Sequence, residues 1–89
     1  MVVNQLGYSK IARHKYQDAI DLFEYNTEQH PGSPNVYDSL GEAYENAGNP
    51  ESAFENFSKA VELGIKNNDG NLSVYKTNRD RVKEKLNKK

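Results

Sequence analysis

The sequence contains no cysteine. This rules out disulfides, thiolate metal sites and a cysteine nucleophile, and it fits a reducing compartment, although many exported proteins lack cysteine as well, so it slightly favours the cytoplasm and does not decide the compartment. No apolar run approaches the ~20 residues needed to span a bilayer, so no membrane segment is expected. No signal peptide is visible either, because Met1-Val2-Val3 is followed at once by polar residues. Histidines number two, His14 and His30, both in segments that read as turns and neither with a carboxylate partner pattern. No Gly-x-Ser-x-Gly elbow, phosphate-binding glycine loop or His-Glu-x-x-His zinc helix occurs. The expectation is therefore a non-catalytic chain with no cofactor.

With 89 residues, 35% hydrophobic and 28% charged, the composition is that of one small globular domain. Six Tyr and three Phe separate it from disordered sequences. The net charge of −1 hides a segregation. Between Lys15 and Glu62 ten acids face two bases, whereas between Lys76 and Lys89 seven bases face two acids. A basic last helix raises the question of nucleic acid, since Lys76, Arg79, Lys83 and Asn87 line one side of it. The acidic segments beside it would repel phosphate, so no nucleic-acid partner is expected.

Sliding the sequence against itself by 34 residues brings like onto like. Val2 falls on Val36, Leu6 on Leu40, Gly7 on Gly41, Ala19 on Ala53, Phe23 on Phe57 and Glu28 on Glu62. Each unit reads as two helices joined by a tight turn. In the second unit Ser33 is the expected N-cap and Pro34 the first helical residue of a helix over about 35–47, ended by Gly48. Asn49-Pro50 repeats the cap-plus-proline start for a helix over about 51–63, closed by Gly64. In the first unit helices are expected over about 3–13 and 16–29, before Pro31-Gly32-Ser33-Pro34 breaks the chain. A last helix, about 71–87, carries an apolar stripe of Leu72, Tyr75, Val82 and Leu86.

The run Asn67-Asn68-Asp69-Gly70-Asn71 has the oxygen-rich look of a calcium loop, but Lys76 stands where an EF-hand needs its bidentate Glu, so it reads as a turn. The sequons Asn56-Phe57-Ser58 and Asn71-Leu72-Ser73 read as chance; the first lies on a helix beside a core Phe.

Tyr37-x2-Leu40-Gly41-x2-Tyr44 followed by Ala53-x3-Phe57 resembles the tetratricopeptide repeat pattern, with Tyr37 in place of the leading tryptophan. Leu6-Gly7, Ala19-x3-Phe23 and Pro31 carry the same resemblance in the first unit. Val3, Lys10, Asn26 and Ile65 depart from it. The resemblance covers about residues 3–66, and residues 71–87 resemble the family's C-terminal capping helix. It implies an all-α fold, an antiparallel helix-pair solenoid with a right-handed superhelix and about five helices. One domain over 1–89 would hold repeat one at about 1–33, repeat two at about 34–67 and the cap at about 71–87. Gly41 and Ala53 would mark the closest approach of two helices, which would explain a glycine in a helix interior at a cost of about 1 kcal/mol.

The same resemblance implies a binding groove lined by the first helix of each repeat. Asn4, Tyr8, Ile11 and Ala12 would line it from the first repeat. Asp38, Glu42, Glu45 and Asn46 would line it from the second, and Leu72, Lys76, Arg79 and Asp80 from the last helix. The lysine/asparagine/arginine clamp with which some family members hold a C-terminal carboxylate is not reproduced. Asn4 fits one place, but Tyr8, Ser39, Asp69 and Ser73 occupy the others. The expected partner is a protein or peptide segment with a basic residue facing Glu42 and Glu45 and an apolar one near Tyr8. Two other expectations stand beside it. Val3-Asn4-Gln5-Leu6-Gly7-Tyr8 followed by two repeats is similar to the C-terminal extensions of some bacterial esterases and serine hydrolases. The chain would then be cut from a longer protein and dock on its catalytic domain. The third expectation is weak self-association, basic end to acidic body.

Overall fold

The computed structural model describes residues 15–88, which form four helices and, among the described residues, no strand. We label them α1 (Tyr16–Gln29), α2 (Pro34–Asn46), α3 (Pro50–Lys66) and α4 (Leu72–Asn87). The expected helix over about 3–13, with Gly7 and His14, lies outside the described residues.

Local chemistry fixes most helix ends. Pro34 and Pro50 stand in the first turns of α2 and α3, where a missing N–H does no harm. The side chain of Asn49 caps α3 by accepting from the Ser52 N–H at 3.2 Å. Ser33 has the extended backbone of a cap, but its hydroxyl makes no capping bond. Gly48 ends α2 with φ of 81°, and the amides of Gly48 and Asn49 donate back to the carbonyls of Glu45 and Tyr44. This paired closure satisfies carbonyls that the helix end would otherwise orphan.

The end of α3 corrects the sequence reading. Gly64 does not close it. The helix runs on to Lys66, and Asn68 takes the left-handed conformation at φ of 53°. The amides of Asn68 and Asp69 donate to Ile65 and Gly64 in the same paired closure seen after α2. Asparagine can fill this place because its short polar side chain tolerates positive φ. Gly64 is thereby freed for packing: a Cβ there would sit 3.1 Å from Leu72 Cδ1 and 3.2 Å from Tyr75 Cδ2, where α4 crosses α3.

Each described helix packs on the next, and α4 also touches α2. Between α1 and α2 lie Ala19, Ile20, Phe23, Leu40 and Ala43. Ala53, Phe57 and Val82 are buried together, flanked by Phe54 and Leu86. Ala60, Val61 and Tyr75 form a third cluster with Tyr37 and Leu72 against it. Tyr44 packs against the first two clusters and joins them. Each large buried side chain of this kind contributes roughly 1.5–3 kcal/mol. The turns are tied across the fold as well: Asn67 Nδ2 donates to the Gly32 carbonyl at 3.0 Å.

Candidate functional site

Asp38, Glu42, Glu45 and Asn46 recur along α2 at spacings of four, three and one, so they share one side of the helix. They do not share one environment. Asp38 is only 7% exposed, and its Oδ1 accepts from Asn78 Nδ2 at 2.9 Å. Glu45 is held by α4. Arg81 Nε and Nη2 donate to its two carboxylate oxygens at 2.9 and 2.7 Å, and Lys85 Nζ donates at 2.7 Å. Arg81 Nη1 also donates to Asn78 Oδ1 at 2.9 Å, which closes a continuous chain from Asp38 through Asn78 and Arg81 to Glu45. The Arg81 guanidinium carbon stands 5.9 Å from the Phe57 ring centre, within cation–π range.

The charges answer to this arrangement. The Arg81 hydrogen bonds hold the Glu45 carboxyl below its ordinary range against the opposing effect of burial, and Lys85 adds to them. Burial moves Asp38 the other way: its carboxyl is raised although Asn78 and Arg81 favour the charged form. Both Asp38 and Glu45 therefore serve the α2–α4 seam, and the basic residues that the sequence analysis assigned to a partner opposite Glu45 are the chain's own Arg81 and Lys85.

The other candidates are dispersed. Glu42 is half-buried, and Asn46 is exposed with its Nδ2 donating to the Glu42 carbonyl at 2.8 Å. Lys76 is exposed on α4, and Arg79 pairs with its neighbour Asp80 at 3.1 Å. Asn4, Tyr8, Ile11 and Ala12 lie outside the described residues. Sequence reasoning missed Asn78, Arg81 and Lys85. Asn78 left a signal: it interrupts the apolar stripe of α4 between Tyr75 and Val82, a position that is buried. A polar residue on a buried stripe needs a partner, and Asp38 is that partner.

His30 is exposed in the turn after α1. Among the described residues no group of three or more His, Cys, Asp or Glu can hold a metal ion. Nor, among them, is any helix long and apolar enough to cross a membrane. Asp69 Oδ1 accepts the Asn71 N–H at 2.7 Å, so in the loop once compared with a calcium site this carboxylate oxygen braces the start of α4. Neither a protein-family profile nor a curated protein matches the sequence.

Proposed function

We propose that the chain is a non-catalytic protein-interaction module of tetratricopeptide type, its antiparallel helix pairs stacked as a short solenoid and α4 serving as the cap. The observation that carries this reading is the equivalence of Ala19 and Phe23 with Ala53 and Phe57 at the 34-residue offset. All four side chains are fully buried, each pair on the second helix of its unit. A repeat that buries the same two residues in each copy is the economy a solenoid needs, since each unit covers only its neighbours. The close approach of Gly41 to Phe57 supports it further.

On this reading the surface offered to a partner is narrower than the motif alone implied. Asp38 and Glu45 bind α4, so the described part of the face consists of Glu42 and Asn46 on α2 and Lys76 and Arg79 on α4, with Asn46 bonded to the Glu42 carbonyl and Arg79 paired to Asp80. The partner is a peptide segment with an acidic or carbonyl group for Lys76 and a basic residue that joins the interactions Glu42 already makes within the chain.

Selection of binders from a random peptide library on the folded domain tests this. Recovered peptides should share that charge order, and Glu42→Lys with Asn46→Ala should weaken them by about tenfold or more, as expected for reversing a central charge. Peptides that bind the double variant equally well would place recognition elsewhere and overturn the reading.

A further inference from the structure

We infer that the exposed face of α1 formed by Asp21, Tyr25 and Glu28 docks the Lys76, Arg79, Lys83 face of α4 from a second copy of the chain, antiparallel and head to tail. The inference goes beyond peptide binding: on α4 it shares Lys76 and Arg79 with the face proposed above, while on α1 it uses a surface of its own.

Helix α1 carries Asp18, Asp21, Glu24 and Glu28 and no Lys or Arg. Tyr25 lies among them, 56% exposed. Asp21, Tyr25 and Glu28 follow at steps of four and three residues and so share one side of the helix. On α4, Lys83, Arg79 and Lys76 follow at the same steps, four and three, read in the opposite direction. Laid antiparallel, the two helices set Lys83 opposite Asp21, Arg79 opposite Tyr25 and Lys76 opposite Glu28. The outer charges of each set are separated by about 10.5 Å along their helix at 1.5 Å per residue. Laid parallel, the central residues fall one position out of register. Among the described residues none of Asp21, Glu28, Lys76 and Lys83 is in an ion pair, and Arg79 holds only its sequence neighbour Asp80. An arginine over an exposed tyrosine adds a cation–π contact to two charge pairs.

The two faces cannot meet within one chain. Helix α1 makes no contact with α4, and α2 and α3 lie between them in the order of packing. The contact is therefore heterologous: one copy's acidic end receives another's basic end, and each addition leaves both ends free for the next. Two exposed charge pairs and one stacked arginine support weak association, which salt weakens further because the Debye length falls from about 10 Å at 0.1 M to about 3 Å at 1 M.

Sedimentation velocity on the whole chain tests this, starting from a 10.1 kDa monomer. At low salt the mean mass should climb past the dimer as concentration approaches the order of 1 mM, and should return toward the monomer at ~0.5 M salt. Asp21→Lys with Glu28→Lys, and separately Lys76→Glu with Lys83→Glu, should each weaken association at least about tenfold while circular dichroism stays that of the wild type. Mixing the two double variants should restore it, because each then offers the face the other needs. A wild-type chain that stays monomeric throughout would overturn the inference. So would association that both variants retain, or a mixture that stays monomeric. Asp21, Tyr25 and Glu28 lie off the proposed peptide face, so the Asp21/Glu28 variant and Tyr25→Ala should reduce self-association with no effect on selected peptides, whereas the Lys76/Lys83 variant touches both surfaces.

Discussion

Gly41 faces the ring of Phe57 so closely that a Cβ on the glycine would come within 2.6 Å of Cδ1 and 2.7 Å of Cε1. The ring is fully buried and has Arg81 above it, so it has no room to retreat. In most helix interiors Gly→Ala gains about 1 kcal/mol. Here overpacking costs about 1–3 kcal/mol, and the sign reverses. Gly41→Ala should lower the urea midpoint, and Gly41→Leu should remove cooperative unfolding altogether. Gly64 is the control. Its nearest neighbours are the Leu72 Cδ1 tip at 3.1 Å, on a partly buried side chain, and the buried Tyr75 ring at 3.2 Å, so a shift of a few tenths of an ångström suffices where Gly41 would need far more, and Gly64→Ala should cost clearly less than Gly41→Ala.

The hold of α4 on Glu45 has a pH signature. Arg81 and Lys85 lower the Glu45 carboxyl in the folded chain. The stability it contributes is present above the ordinary glutamate value of about 4.3 and is lost as pH falls through the lower, folded value. The partners are about half exposed, so Glu45→Gln should cost only roughly 1 kcal/mol at neutral pH. Denaturation curves collected at successively lower pH should converge for wild type and variant once the pH lies below the folded value. A gap that persists there would show that the loss is one of packing.

Asp38 should act in the opposite sense. Burial raises its carboxyl, so the folded chain binds that proton more tightly and stability falls as pH rises from the ordinary aspartate value of about 3.9 through the folded one. Asp38→Asn keeps an acceptor for Asn78 and removes this slope, so its stability relative to the wild type should improve between pH 3 and pH 7. Asp38→Leu strands the Asn78 amide in a buried site and should cost about 1–3 kcal/mol across the same range. Equal behaviour of the two variants would refute the hydrogen-bonded seam.

The two expected caps separate cleanly. Asn49→Ala removes a capping bond and should cost about 1 kcal/mol. Ser33→Ala removes no such bond and should change thermal stability by a few tenths of a kcal/mol only. Equal losses at both sites would mean that sequence preference, not the bond, carries the effect.

Much of the helical outline was legible because short-range chemistry writes it. Tyr16 and Gln29 bound α1 where a breaker follows, and Gly48, Asn49 and Pro50 mark the α2–α3 turn through φ, a side-chain acceptor and a missing N–H. The 34-residue offset matched Ala19 with Ala53 and Phe23 with Phe57, and all four are buried, because packing repeats wherever the unit repeats. The end of α3 was misread because Gly64 and Asn68 can each supply the left-handed turn, and only the arrival of Leu72 and Tyr75 decides between them.

What the sequence by itself determined is which apolar residues turn inward and where helices begin, since both follow from periods and caps a few residues long; that Asp38 and Asn78 turn inward as well was not among it. Which side chain meets which across the fold was decided by tertiary structure. Asp38 and Asn78 are 40 positions apart, and Glu45 lies 36 and 40 from Arg81 and Lys85. A charge pattern shows that acid and base are present on different helices. Only the angle at which α4 lies over α2 selects Arg81 and Lys85 for Glu45 and leaves Lys76 and Lys83 facing outward.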